Sequence, residues 1–368
     1  MKVVITGGGT GGHAYPAISV AELVQTKHPD WELLYLGSKG GLESQLAIDV
    51  GIRFVGLTTR RVRKLVSPDT LLTVAALTKG FFEALSALRQ FKADLVIGTG
   101  GYVAAAVCLA QVVRRGKVLI HEQNVIPGRT NLLLSKFADR VCVTFEESLR
   151  YFPADKTKVT GLPIRCAFLN PPDKASARRS FGINADTFTI LVLGGSQGAR
   201  RINEVIAQSI PMLRDLPVQI IHQAGRRNFE EADAQRRSLA WDGYHVLGYI
   251  DDMVSAYAAA DLVIGRSGAS TISEITALGL PAVLIPYPFA YADHQRYNAQ
   301  YLQRSGAALT IIESELTAER IFETIKHLIS SPDELAKMAE SSRRLGRPHA
   351  AQEVLAVAQE LLEQRTAS

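Results

Sequence analysis

Two glycine-rich turns hold the residue types that bind phosphate. Gly7-Gly8-Gly9-Thr10-Gly11-Gly12-His13 follows the apolar run Val3-Val4-Ile5, and Gly194-Gly195-Ser196-Gln197-Gly198 follows Thr189-Ile190-Leu191-Val192-Leu193. Each leads into a helical pattern, so each can aim unbonded backbone N–H groups and a helix N-terminus at an anion. Other polar clusters also follow strand-like runs: Gly98-Thr99-Gly100-Gly101-Tyr102, His121-Glu122-Gln123-Asn124, Arg266 through Glu274, and Asp293-His294-Gln295-Arg296-Tyr297-Asn298-Ala299. In an open α/β sheet, ligands bind beyond the carboxyl ends of the strands. The unusual polarity is therefore expected along the edge of one binding cleft.

Rival chemistries have to be weighed against diphosphate binding. Gly7, Gly9 and Gly12 fit the dinucleotide pattern, but an NAD site also needs an acidic residue at the end of the second strand, which here reads Leu36-Gly37-Ser38-Lys39; Lys39 leaves a 2'-phosphate cofactor open. Gly194 to Gly198 also spells G-x-S-x-G, the nucleophile elbow of a hydrolase, yet no His-Gly-Gly oxyanion motif precedes it and no clear Asp-then-His order follows. Glycines that only permit tight turns would explain one loop, not the polar residues in both.

The elements that must position these groups alternate. Strands are predicted at Lys2–Thr6, Glu32–Leu36, Arg53–Leu57, Asp94–Ile97, Lys117–His121 and Arg140–Thr144. In the second half they are predicted at Thr189–Leu193, Val218–His222, His245–Leu247, Asp261–Ile264, Ala282–Ile285 and Ala308–Ile312, with helical patterns between them. That alternation predicts an α/β fold with parallel sheets covered on both faces. Ala93-Asp94-Leu95-Val96-Ile97-Gly98 recurs as Ala260-Asp261-Leu262-Val263-Ile264-Gly265, which suggests two related halves in series. The polar, proline-bearing stretch Asn170–Lys174 marks the region just after the crossover.

A chain of 368 residues, 47% hydrophobic and 21% charged, has material for two cores. The net charge of +5 suits anionic small molecules or an acidic membrane surface, and no Lys/Arg stripe of a nucleic-acid binder is present. Cys108, Cys142 and Cys166 lack metal-ligand spacing and read as reduced core thiols. The apolar run after Lys2 breaks at Thr6-Gly7, short of the roughly 7–15 residues of a secretory signal, so a cytoplasmic location is expected.

Taken together, the motifs from Gly7 to Ala299, with Ile250-Asp251-Asp252-Met253 among them, resemble the MurG family of bacterial cell-wall glycosyltransferases. The resemblance implies the GT-B arrangement of two Rossmann-like domains facing a cleft. It places an acceptor and membrane-side domain at 1–163, a UDP-sugar domain at 164–345, and residues 346–368 packing back on the first. It also implies inverting transfer of N-acetylglucosamine from UDP-N-acetylglucosamine to the C4 hydroxyl of the muramoyl sugar of lipid I, forming lipid II. One departure is Gly161-Leu162-Pro163-Ile164-Arg165, where the family often has Asn before Pro; no polar role is expected of Leu162. The alternatives are a UDP-N-acetylglucosamine 2-epimerase and a nucleotide-sugar-binding regulator without turnover.

Roles follow on the same basis. Breaking an anomeric C–O bond builds negative charge on the leaving diphosphate. Gly195, Ser196 and Gln197 can donate to it, and the resemblance adds Arg165. The resemblance also puts Ile250 and Arg266 beside uracil. Glu274 suits the ribose hydroxyls, its other reading being a first-turn helix glutamate. Gln295, Asn124 and Ala269-Ser270-Thr271 are expected at the sugar, with Ile272 and Ser273 in the same turn, and Thr10, Gly11, Gly12 and Tyr102 are expected to bind substrate. His13 is the candidate general base, with Glu122 as substitute; His13 could instead cap its helix or bind the acceptor diphosphate. No Asp-x-Asp is present, Asp251-Asp252 reads as a turn and helix cap, and metal-independent transfer without a cofactor is expected.

The implied partners are UDP-N-acetylglucosamine, undecaprenyl-linked lipid I, an anionic membrane surface and other cell-wall synthesis proteins, with no nucleic acid. Arg60, Arg61, Arg63 and Lys64 precede the apolar stretch Leu71–Leu88, too short and charged for a membrane span. It reads equally as a surface for the inner face of the plasma membrane or as an ordinary buried helix.

Overall fold

The computed structural model describes residues 1–60, 68–195 and 198–366. Two compact units are present: unit 1 comprises Met1–Cys166 and Arg347–Ser368, and unit 2 comprises Ala167–Gly346.

Unit 1 runs β1 (Lys2–Thr6), α1 (Gly11–Lys27), β2 (Glu32–Ser38), α2 (Leu42–Asp49), β3 (Arg53–Leu57), α3 (Pro68–Phe91), β4 (Leu95–Gly98), α4 (Gly101–Val113), β5 (Lys117–Glu122), α5 (Arg129–Leu134), β6 (Arg140–Val143) and β7 (Thr157–Val159). Unit 2 runs α6 (Lys174–Ser180), β8 (Phe188–Leu193), α7 (Arg200–Leu213), β9 (Val218–Gln223), α8 (Phe229–Leu239), β10 (Tyr244–Leu247), α9 (Met253–Ala259), β11 (Leu262–Gly265), α10 (Ala269–Ala277), β12 (Ala282–Leu284), α11 (His294–Arg304), β13 (Ala308–Thr310), α12 (Ala318–Ile329) and α13 (Pro332–Leu345). The last helix, α14 (Ala350–Thr366), returns to unit 1. Every expected strand is present with small shifts at its ends. The strand that sequence periodicity missed is β7, three residues long and centred on the exposed Lys158.

Both sheets are wholly parallel. Their orders are β3-β2-β1-β4-β5-β6-β7 and β10-β9-β8-β11-β12-β13. In each, the order reverses where the first strand of the unit pairs with the fourth, β1 with β4 and β8 with β11. The repeated hexapeptide supplies that fourth strand both times, with Gly98 opposite Thr6 and Gly265 opposite Leu193.

Helices on both faces explain the unbroken apolar character of these strands. Val3 and Ile5 pack with Ala17, Val20 and Val24 of α1 and with Val354, Val357 and Leu361 of α14. Val4 points the other way, into a core with Leu88 of α3 and Val103 and Val107 of α4. Burying each such Val or Leu contributes roughly 1.5–3 kcal/mol. Cys108 and Cys142 lie in these cores, where burial pushes both thiols up to about 12 and keeps them neutral.

At the β1/β4 junction the glycine turns that follow these two strands touch. The Gly8 amide donates to the Gly100 carbonyl at 3.3 Å, and Gly101, with φ of +87°, comes so near Gly8 that a Cβ there would lie 2.3 Å from the Gly8 carbonyl oxygen. Gly101→Ala therefore combines backbone strain with a backbone clash. A loss of about 1–3 kcal/mol is expected from a forced conformation of this kind. Thermal or denaturant unfolding will measure it, and an unchanged midpoint would contradict the close approach.

Candidate active site

In unit 1 the site is built on the turns after β1, β4 and β5. Thr10 is the N-cap of α1 and makes no side-chain capping bond, so Gly11, Gly12 and His13 form the first turn. Thr10 and Gly12 are exposed; the His13 amide donates to the Thr10 carbonyl at 3.2 Å, and the first amides of such a turn have no acceptor within the helix. The His13 side chain does not cap its helix. Its Nδ1 lies 3.0 Å from the Thr99 carbonyl and 2.9 Å from Gln123 Oε1. Thr99 in turn donates through Oγ1 to the His13 carbonyl at 2.7 Å. Tyr102, second residue of α4, is half-buried.

Glu122 ends β5 and is 1% exposed. Its Oε1 accepts from the amides of Gln123 and Asn124 at 3.0 and 2.9 Å and from Asn124 Nδ2 at 3.3 Å. Its Oε2 accepts from the Gly128 amide at 3.1 Å and Asn131 Nδ2 at 2.9 Å. Asn124 is thus oriented by Glu122. Arg165 belongs to unit 1, where its charge acts on Glu22 of α1, while burial raises the Glu22 carboxyl overall. Leu162 is buried, as an apolar side chain in that segment requires.

In unit 2 the turns after β8, β9, β11 and β12 come together. Ser196 and Gln197 lie outside the described residues. Helix α7 begins only at Arg200, so Gly195 sits in the preceding turn rather than in a helix start. Gln223, the last residue of β9, bridges two candidate ligand segments: its Nε2 donates to the Gly195 carbonyl at 3.3 Å and its Oε1 accepts the Ile250 amide at 2.9 Å. With that amide taken, Ile250 has its carbonyl left to offer a ligand. Asp252 caps α9 by accepting the Ser255 amide at 3.0 Å, as its position before a helix predicts.

Helix α10 starts at Ala269 after Gly268, so Ala269, Ser270 and Thr271 present first-turn amides at the end of β11. Ser270 Oγ is buried with no protein partner. Ile272 is a correction: its side chain is buried in the core and its amide donates to the Gly268 carbonyl at 3.0 Å. Ser273 follows it, half-buried, its carbonyl accepting from Thr276 Oγ1. Glu274 is the sixth residue of α10, beyond the first turn in which a helix dipole stabilises an acid, so the first-turn reading does not hold.

Ser267 fastens α11 to this turn. Its hydroxyl donates to the Gln295 carbonyl at 2.7 Å, and Asn298 Nδ2 donates to the Ser267 carbonyl at 3.2 Å. Gln295 Oε1 accepts the Tyr287 amide at 3.0 Å. Arg266 is buried; it donates to the Ile285 and Pro286 carbonyls, pairs with Glu313 and lies over the Tyr287 ring. Glu313 also borders a cavity of about 530 Å³ between Arg201, Phe289 and Arg296, which none of the expected ligand residues lines. Among the described residues no cluster of three or more His, Cys, Asp or Glu side chains could hold a metal ion.

Residues 3–143 match the N-terminal domain and residues 189–354 the C-terminal domain of glycosyltransferase family 28. The chain belongs to glycosyltransferase family 28. It is similar at 41% identity, covering 98% of each chain, to the UDP-N-acetylglucosamine–N-acetylmuramyl-(pentapeptide) pyrophosphoryl-undecaprenol N-acetylglucosamine transferase of Desulforudis audaxviator. The crystal structure of Acinetobacter baumannii MurG superposes with a TM-score of 0.76 at 32% identity, over 98% of this chain and 99% of that one. UDP-GlcNAc 2-epimerase from Neisseria meningitidis superposes with a TM-score of 0.69 over 98% of this chain and 100% of that one, but at 15% identity, a likeness of fold alone.

Family 28 membership accords with the two-Rossmann fold and displaces the hydrolase and dinucleotide readings. Sequence reasoning gave no role to Gln123, just past the end of β5, to Gln223, the last residue of β9, or to Asn131, the third residue of α5. It also missed Glu43 of α2. That carboxyl reaches the end of β2, where Oε1 accepts the Ser38 amide at 2.9 Å, but it is wholly buried against Gly8 and Gly41. It braces the glycine turn.

Glu122 needs a second correction. With both oxygens committed to buried donors it holds the turn after β5, a poor position from which to take a substrate's proton. Glu122→Gln would turn an amide NH₂ toward donors whichever way it rotates. A loss of about 1–3 kcal/mol of stability is expected for a buried group left unsatisfied. Chemical denaturation will measure it; full stability with collapsed turnover would restore Glu122 to the chemistry.

Proposed function

We propose that this chain transfers N-acetylglucosamine from UDP-N-acetylglucosamine to the C4 hydroxyl of the muramoyl sugar of lipid I, with inversion, forming lipid II. The observation that carries this reading is 41% identity over 98% of the chain to a relative named for that transfer. In this reading unit 2 binds the donor. The Ile250 carbonyl and Arg266 accompany the uracil, Glu274 accepts from the ribose hydroxyls, and the turn from Gly195 through Gln197 donates to the diphosphate, with Arg165 as a further counter-charge. Ser270, Thr271, Gln295 and Asn124 serve the neutral sugar hydroxyls, for which hydroxyl and amide groups are matched donors and acceptors.

Unit 1 binds the acceptor through the turn from Thr10 to Gly12 and through Tyr102. His13 takes the proton from the acceptor hydroxyl. The new bond runs from that oxygen to the anomeric carbon, while the old C–O bond breaks and its electron pair leaves on the UDP diphosphate. Helix N-termini contribute roughly 0.3–1 kcal/mol each to such charge, up to about 2 where partly buried, so the base and positioning must supply the rest.

Labelled UDP-N-acetylglucosamine, incubated with and without lipid I, tests the reaction. Acceptor-dependent UDP release with label in the lipid is expected; UDP release or 2-epimerisation without acceptor overturns the transfer reading. His13→Ala is expected to lower kcat by about 10²-fold or more, within the range a general base supplies, with little change in donor KM. Wild-type turnover would remove His13 from the chemistry.

The lipid acceptor calls for a membrane-facing surface on the inner face of the plasma membrane. Arg60 is exposed; Arg61, Arg63 and Lys64 lie outside the described residues. In α3, Ala84, Leu85 and Leu88 are core residues while Phe82 is 61% exposed, so this helix both packs on the sheet and offers an apolar side chain outward. No described helix is long and apolar enough to cross a membrane. Basic residues beside apolar surface favour anionic bilayers. Neutralising Arg60, Arg61, Arg63 and Lys64 together is expected to reduce co-sedimentation with anionic vesicles; retention equal to wild type refutes their contribution.

A further inference from the structure

A chain of buried hydrogen bonds decides which nitrogen of His13 carries its proton. The chain begins at His121, which is fully buried and whose pKa burial pulls down to about 4, leaving the ring neutral. His121 Nε2 lies 2.8 Å from the Gly161 carbonyl oxygen, which can only accept. The hydrogen is therefore on Nε2, and His121 Nδ1 presents a lone pair.

Gln123 reads that lone pair. Its amide nitrogen lies 2.7 Å from the Thr99 carbonyl, 2.8 Å from the His121 carbonyl and 3.3 Å from His121 Nδ1. All three are acceptors, so an amide oxygen turned into that position would meet only lone pairs. The orientation of the buried amide is thus fixed by its surroundings. Its Oε1 then faces His13 Nδ1 at 2.9 Å, and the Thr99 carbonyl faces the same nitrogen at 3.0 Å. A nitrogen set between two acceptor oxygens must hold the hydrogen. Ring placement is fixed too, because Gly100 lets the imidazole approach where a Cβ would lie 2.9 Å from its Cε1 and Nδ1.

We propose that Gln123 is a positioning residue that holds neutral His13 in its Nδ1–H form, leaving the lone pair of Nε2 as the proton acceptor. The inference rests on His13 being the base and adds what makes it competent. In the opposite tautomer Nε2 would carry a hydrogen and could take no proton from a hydroxyl. The wrong tautomer disables a correctly placed imidazole in the same way when a catalytic triad loses its carboxylate.

Nitrogen-15 NMR of the full chain, labelled in its histidine rings and recorded where His13 is neutral, reads the tautomer without turnover. Signals are assigned by their loss in His13→Ala. A protonated Nδ1 and an unprotonated Nε2 are expected in wild type; the reverse pattern overturns the proposal and needs no variant to be made. Gln123→Met is expected to raise the Nε2–H share and lower kcat about ten-fold, the order of a partly disabled general base, with donor KM within about two-fold. An unaltered tautomer in that variant also overturns the role given to Gln123. Because the spectrum does not depend on catalysis, an active His13→Ala enzyme would remove the base while leaving the location of the proton intact.

Discussion

Parallel pairing of the first strand with the fourth, made once in each unit, is the constraint from which the rest follows. Where strand order reverses, the helices leaving the two neighbouring strands go to opposite faces of the sheet, and a crevice opens at the carboxyl ends between them. β1 beside β4 brings Gly7-Gly8 against Thr99-Gly100-Gly101, and β8 beside β11 brings Gly194-Gly195 near Arg266-Ser267-Gly268. Strand registry therefore assembles polar turns that lie far apart in sequence. The near-absence of side chains in these turns is a condition of that assembly, since Gly7 has Thr99 Oγ1 where its Cβ would be.

Each unit then locks its turns with a buried glutamine. Gln123 joins the turn after β4 to His13, and Gln223 joins the turn after β8 to Ile250. A primary amide can donate at one end and accept at the other, so one side chain can satisfy a carbonyl and an N–H or ring nitrogen together. A carboxylate does a different task. Glu122 has acceptors only, and every group around it donates, which makes it an organiser of one loop rather than a link between two.

The sheets were the most legible part of the sequence, because strands buried on both faces appear as short runs of Val, Ile and Leu ending in glycine. β7 escaped because an edge strand of three residues with Lys158 at its centre has no such run. The polar turns were legible as a set by their place after strands, and the Asp252 cap by its place before a helix. What periodicity could not supply was direction: Ile272 lies in the same motif as Ser270, yet helical rotation sends it into the core. Nor could spacing reveal that Glu43, from the following helix, fills the place where the second strand lacks an acid. Such contacts depend on tertiary geometry, and local sequence carries only the residue type.

The return of α14 to unit 1 has a consequence for biogenesis. Val354, Val357 and Leu361 cover the same side of the β1 sheet as α1, and they are separated from it by all of unit 2. On the ribosome the N-terminal sheet can be translated long before this cover exists, whereas unit 2 has its whole chain available by Gly346. The order of synthesis and the order of completion are therefore opposite, and nascent unit 1 must hold an oily flank that nascent-chain chaperones are suited to shield until the final helix emerges.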